Sequence, residues 1–216
     1  MSIIFTQETL KFLKDLKNNN NRDWFTEHKK IYESEVKMPA SIFADEMAAA
    51  LTAEFGGAYR AKVFRIYRDV RFSKDKTPYN AHIRISFTPE PVTANRPAWY
   101  MGIETDTLVL GMGLFGFDKP GMERFRDRVA GKPGEVLDAE LARLKAVGYR
   151  IGEPELTRIP RGYDKDHTRA DLLRHKSITV WKDYDDASVA IGSNLTGDCM
   201  KTYRDMKPLY DWLLAV

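Results

Sequence analysis

The hydrophobic period of this chain changes twice, and that change constrains its fold more than any single motif. As far as Gly56-Gly57 the apolar residues recur at helical spacing. From there to Pro120 they alternate, and beyond Pro120 helical spacing returns. In the first third, Phe5 and Leu10 bracket Thr6 as a hydrophobic staple around an N-cap, and Leu10, Leu13 and Leu16 continue one stripe. Asn18–Asn21 stop that helix and cap a second, in which Trp24, Phe25, Ile31, Tyr32 and Val36 keep helical spacing until Pro39 interrupts it. A third helix runs from about Ala40 to Phe55 and ends at the glycine pair. Strands are expected at Phe64–Phe72 and His82–Phe87, and as a hairpin of Trp99–Glu104 with Leu108–Phe115 around Thr105-Asp106-Thr107.

After Pro120, Met122, Phe125 and Val129 mark one helix, and Leu137, Leu141 and Leu144 another, with stops at Gly131 and Gly148. Thr168 caps a short helix carrying Leu172 and Leu173, and Ile178–Trp181 reads as a strand. Two C-terminal helical segments, Met200–Met206 and Leu209–Leu214, are separated by Pro208. Helices, then strands, then helices indicate an α+β class, a mainly antiparallel sheet flanked by N-terminal and C-terminal helices. No repeat, low-complexity tract or linker divides the 216 residues, so a single domain over 1–216 is expected. No apolar run reaches membrane-spanning length, the N-terminus lacks a basic leader, and a lone Cys199 forms no internal disulfide. The expected setting is the cytoplasm, without a membrane.

Net charge is only +3, but its distribution is uneven. Residues Arg60–Arg84 hold eight basic side chains against Asp69 and Asp75, a local +6. Thr157–Lys176 carries +3, which leaves −6 for the rest of the chain. Three of the four histidines, His82, His167 and His175, fall in the two basic segments. An anionic partner follows, either a small ligand or a nucleic acid.

Period-two geometry puts Phe64, Ile66, Val70 and Phe72 on one face of the first expected strand, with Arg68 as a charged exception among them. Arg65, Tyr67, Asp69 and Arg71 take the other face. In the partner strand Ile83, Ile85 and Phe87 face the core, while His82, Arg84 and Ser86 face away. The connection adds Ser73, Lys74, Lys76 and Tyr79. The candidate ligand-binding set is therefore Arg65, Arg68, Asp69, Arg71, Ser73, Lys74, Lys76, Tyr79, His82 and Arg84, with Asp69 and His82 as candidates for proton transfer. Guanidinium groups offer a rigid fork to phosphate or carboxylate, and lysines add mobile charge. Gly102, Gly111 and Gly113 recur at alternate positions of the next hairpin, as a groove floor would require. The competing reading is a solvated cross-strand ion-pair ladder with glycines that serve only twist or bulge.

Gly111-Met112-Gly113-Leu114-Phe115-Gly116 matches a dinucleotide pattern but lies inside a strand, so it carries no such site. No metal site is expected, because His167 and His175 lack partners at ligand spacing, and no cofactor is indicated. His28, four residues after Trp24 on a helix, reads as structural, and Cys199 as packed. The Arg158–His167 segment is either a cover for the basic face or a solvated connection.

Phe12-Leu13, Asn19-Asn20 and Arg22-Asp23-Trp24-Phe25, with the run Arg65-Ile66-Tyr67-Arg68-Asp69-Val70-Arg71-Phe72-Ser73-Lys74-Asp75-Lys76-Thr77-Pro78-Tyr79, resemble a bacterial family catalogued as a domain of unknown function, family 2461. Ile159-Pro160-Arg161-Gly162-Tyr163 and Leu172-Leu173-Arg174-His175-Lys176 extend the resemblance over nearly the whole chain. It implies one full-length domain and brings no activity or catalytic residue. Three functional readings stand: a pocket protein, enzymatic or not, for a small phosphorylated or carboxylated ligand; a nucleic-acid-binding module; and a non-catalytic domain in which the motif is structural. In the last, Arg68 pairs with Asp69 or Asp75.

Overall fold

The computed structural model describes residues 3–216. In chain order the elements are α1 (Gln7–Asn18), α2 (Arg22–Tyr32), α3 (Met38–Phe55), β1 (Tyr59–Val63), β2 (Ile83–Pro89), β3 (Ala98–Ile103), β4 (Leu108–Leu114), α4 (Lys119–Ala130), α5 (Pro133–Ala146), β5 (Arg150–Ile151), α6 (Ala170–Leu173), β6 (Ile178–Tyr184) and α7 (Leu195–Leu214). The strands form one six-stranded antiparallel sheet in the order β1-β2-β3-β4-β6-β5, with helices flanking it in the sequence, so the chain is α+β. Contacts divide the chain into two compact units. The first runs to Phe87 and adds Tyr100–Leu110 and Asp183–Met200; the second comprises Thr88–Trp99, Gly111–Lys182 and Lys201–Val216. No helix among the described residues is long and apolar enough to cross a membrane.

In the first unit, Thr6 begins α1 as expected, its N–H donating to Thr9 Oγ1 at 3.1 Å. The buried stripe is Thr9, Phe12, Leu13 and Leu16, with Leu10 only half-buried. Asn21 caps α2 by accepting from Trp24 N at 2.9 Å. Pro39 does not interrupt the helix. A π-turn at Glu33–Lys37 joins α2 directly to α3, and Pro39 falls in the first turn of α3, where a missing N–H is tolerated. The Glu35 carbonyl, four residues before the proline, accepts the Thr9 hydroxyl at 2.7 Å instead. That one bond also satisfies a fully buried threonine. The α3 helix ends as read, on Gly56 and Gly57, both at positive φ near 75°.

The expected strand Phe64–Phe72 is the principal correction. The β1 strand lies earlier, at Tyr59–Val63, and the residues after it form a loop closed by a single Tyr67–Tyr79 bridge. Of its four alternating apolar residues only Ile66 is buried, and Phe72 is 96% exposed. Alternation describes a strand only when a core lies against one face. Here none covers Phe64 or Phe72. The β2 strand behaves as read, with Ile83, Ile85 and Phe87 buried, and the β3–β4 hairpin closes through Glu104 N to Thr107 O at 2.9 Å.

In the second unit, Trp99 stacks on Tyr210 at 4.6 Å and tilts against Tyr203 at 4.9 Å. Pro208 does not break the C-terminal helix, since α7 runs continuously through it. Tyr203, Met206, Leu209, Tyr210 and Leu213 bury one face of α7, and the Arg143 guanidinium donates to the Asp205 carbonyl at 2.5 Å. Thr168 does not cap α6, whose first flanking residue is Arg169. The Arg158–His167 segment is fastened to α4 from Tyr163 onward. Tyr163 donates to Asp127 at 2.8 Å, His167 Nε2 meets Ala130 O at 3.1 Å, and the neighbouring Arg169 donates to the carbonyls of Val129, Ala130 and Gly131 at 2.7–3.1 Å.

Arg169 thus satisfies three carbonyls at or just past the C-terminus of α4, where a cation also complements the helix dipole. Arg169→Ala is expected to lower stability by about 1.5–3 kcal/mol, read as a shift in urea midpoint without change of slope. A midpoint equal to wild type excludes this cap as a determinant of stability.

Candidate functional site

The basic motif begins where β1 ends. Phe64 N–H donates to Arg84 O at 2.9 Å, after which the chain leaves the sheet and returns through paired backbone bonds, Asn80 N to Ile66 O at 2.7 Å and Arg68 N to Pro78 O at 2.9 Å. Between them, residues 69–77 make a turn held by its own side chains. Arg68 Nη1 donates to Asp75 Oδ2 at 2.6 Å, to Thr77 O at 3.0 Å and to the Thr77 hydroxyl. Arg71 forks onto Asp69 at 2.7 and 2.9 Å, and Lys76 Nζ donates to Val70 O at 3.0 Å. Asp75, not Asp69, is therefore the partner of Arg68. Arg68 is an edge residue rather than a core arginine, its side chain 24% exposed.

These bonds set the acidities. The Thr77 N–H, then the Arg68 guanidinium and the Thr77 hydroxyl, lower Asp75 to about 2. The Arg71 fork holds Asp69 below the usual carboxylate range. With both oxygens engaged by one arginine, Asp69 is not poised for proton transfer.

Tyr79 goes to a different place from the cations. It is buried, stacks on Phe25 at 4.1 Å, and is gripped through its backbone by Asn20, which donates to Tyr79 O at 2.9 Å and accepts from Tyr79 N at 3.0 Å. A side-chain amide here imitates a strand partner. Tyr67 lies 5.4 Å from Tyr79 and 5.9 Å from Phe25. Asn20, although named in the sequence motif, gave no signal of this role. His28 is structural as read, stacked on Trp24 at 4.0 Å with Nδ1 2.8 Å from the Trp24 carbonyl.

His82, just before β2, shares a face by parity with Arg84 and Ser86, of which Ser86 is buried rather than facing away into solvent as expected. Arg84 lies across Gly102 of β3 and pairs with Glu104 through Nη2. Its Nη1 rests buried against the glycine, without a hydrogen-bond partner among the described residues. Any side chain at residue 102 would run into that guanidinium. Gly102 therefore clears space for an arginine of the same chain. Gly111 does so for the Trp181 ring, and Gly113, at φ 152°, for the backbone of Ile178 and Thr179. The three glycines do not form an open floor.

The candidate residues fall into two groups. Asp69 has Arg71 and Arg65 as charged neighbours, whereas His82 has Arg84, Glu104 and Arg68. Burial is the main cause that lowers the His82 pKa, reinforced by the two arginines and opposed by Glu104. The imidazole is half-buried, and neither ring nitrogen has a partner among the described residues. Arg65 and Lys74 are exposed and make no ion pair among the described residues, and Ser73 lies in the turn with its N–H on Val70 O at 3.3 Å. Tyr100, by parity on the face of Gly102, is pushed up to about 12 by burial and stays protonated. Sequence reading missed Glu104 and Tyr100. Their parity with Gly102 was available, but nothing marked that face as the one next to Arg84.

The chain belongs to the family described as Conserved hypothetical protein (DUF2461), whose model matches residues 8–212. No curated protein matches it.

Arg68 and Arg71 sit three residues apart with different tasks. Arg68→Ala takes the guanidinium from Asp75 and the Thr77 carbonyl, leaving Asp75 only its Thr77 donors, and is expected to lower the urea midpoint measurably. Arg71→Ala, on the exposed Asp69 pair, leaves the midpoint unchanged within error. Equal midpoints for the two variants rule out the Arg68 clasp as a stabilising feature.

Proposed function

We propose that the chain binds a small phosphorylated or carboxylated ligand at the basic 65–84 motif, with His82 and Arg84 as the first contacts and Arg68 behind them. The observation that carries this reading is His82, a half-buried imidazole without a hydrogen-bond partner among the described residues, with Arg84 and Arg68 as charged neighbours. An oxyanion arriving there accepts a charge-assisted bond from Arg84 and opposes the burial, and with it the two arginines, that lower the ring's pKa. Binding therefore favours imidazolium and brings proton uptake with it. Arg65 and Lys74 add attraction at longer range. If the ligand is transformed, His82 is the candidate for proton exchange in this cluster, and Asp69, forked by Arg71, is not. We place the protein in the cytoplasm, on a single cysteine that is buried and whose thiol is pushed up by that burial.

The sign of the pH effect follows from His82. Its folded pKa lies below the ordinary 6.5, so its contribution to stability is present above about 6.5 and is lost as pH falls toward the folded value. A bound anion reverses that preference. Sulfate is a suitable probe because its charge does not change in this range. Its thermal-shift affinity is expected to rise several-fold between about pH 7.5 and 5.5. In His82→Gln the rise disappears. Gly102→Ala displaces Arg84 and weakens sulfate about tenfold at every pH. The proposal fails if sulfate, phosphate, nucleotides, sugar phosphates and dicarboxylates all leave the melting temperature unmoved, or if His82→Gln responds as wild type does.

A further inference from the structure

We infer a second binding surface, which shares Arg65 and Lys74 with the small-anion reading but not His82 or Arg84: residues 62–76 form a landing element for single-stranded nucleic acid. Phe64, Tyr67 and Phe72 would stack on bases, while Lys62, Arg65 and Lys74 contact phosphates. The three rings are 47%, 50% and 96% exposed within one stretch of the chain. Isolated exposed apolar side chains are ordinary and call for no explanation. Three on one loop, alternating with cations, form a pattern that suits a charged polymer with flat bases.

The cations stand beside the rings. Lys62 Nζ is 4.8 Å from the centre of the Phe64 ring, and Arg71 Cζ is 5.9 Å from that of Phe72. The two acids that would repel phosphate are already engaged, Asp69 by Arg71 at 2.7 Å and Asp75 by Arg68 at 2.6 Å. Those pairs, with Lys76 Nζ on Val70 O, also hold the turn in one conformation before any partner arrives. Little ordering cost then remains for binding.

The placement of the rings decides which anionic partner fits. Phe64 lies at the root of the loop, where its N–H meets Arg84 O, and Tyr67 sits at the bridge to Tyr79. Phe72 lies in the turn, between Val70 and Ser73, whose backbone groups are bonded at 3.3 Å. The rings are thus distributed from root to turn, as a linear strand requires. A bilayer surface would engage the turn, where Phe72 is the only one of the three rings.

The test is fluorescence anisotropy of the full chain with a labelled oligothymidylate of about 15 nucleotides. Binding is expected at about 50 mM salt and should fall steeply by about 200 mM. Phe72→Ala should weaken it about tenfold with the salt slope and melting temperature unchanged. Arg65→Ala combined with Lys74→Ala should reduce the slope by about one to two. His82→Gln should keep oligonucleotide binding, which separates this surface from the sulfate site. The inference is overturned by no binding at the lower salt, by binding that Phe72→Ala leaves intact, or by Phe72-dependent capture on phosphatidylserine vesicles in place of the oligonucleotide.

Discussion

One guanidinium nitrogen, Arg68 Nη1, holds three acceptors across the 69–77 turn, and the presentation of the whole basic motif depends on it. Asp75 and the carbonyl and hydroxyl of Thr77 lie on the return limb, so the bond closes the loop as a strand ladder would. The segment has only one bridge of its own, Tyr67 with Tyr79, which is too little to fix a turn of this length. With Arg68 in place, Arg71 and Lys76 add local bonds to a shape already set. The same arginine is also a charged neighbour of His82 and helps to disfavour its protonation. Loop geometry and imidazole charge are thus coupled through one side chain.

Glycine serves the sheet by omission. A side chain at Gly102 would meet Arg84, and one at Gly111 would meet Trp181. Two large side chains can therefore lie flat on strands they do not belong to, each within its own unit. The cost to Arg84 is a buried, unpartnered Nη1, while its other terminal nitrogen pairs with Glu104. An arginine held by one carboxylate across a glycine keeps a fixed position on the strand.

Much of the fold was legible because burial and backbone chemistry agree locally. Thr6, Asn21 and the Gly56-Gly57 pair mark helix ends through interactions within a few residues, and Ile83, Ile85 and Phe87 alternate against a real core. Errors arose where a local rule was overridden at a distance. Pro39 stays helical because a π-turn and a hydroxyl from α1 accommodate it. Phe64–Phe72 alternates without a core to face. Of the candidate site, the run 65–84 could be read as basic, but sequence could not show which of its cations were already paired. Glu104 escaped notice because its partner Arg84 lies twenty residues earlier, and Asn20 because it binds a backbone fifty-nine residues away.

Pairing also explains why a local +6 is not a +6 surface. Arg68, Arg71 and Arg84 are each matched by a carboxylate, and one of those carboxylates, Glu104, comes from outside the basic run. Paired arginines contribute shape and hydrogen-bond direction but little net field. What projects is the remainder. Arg65 and Lys74 are exposed without an ion pair among the described residues, and Lys62 stands over Phe64. The sheet face and the loop therefore differ in kind. Around His82 the charges are fixed, nearly balanced and partly buried, which suits a small anion recognised by geometry and protonation. Along the loop they are solvated and interleaved with rings, so binding there should respond to salt, while binding at His82 should respond to pH.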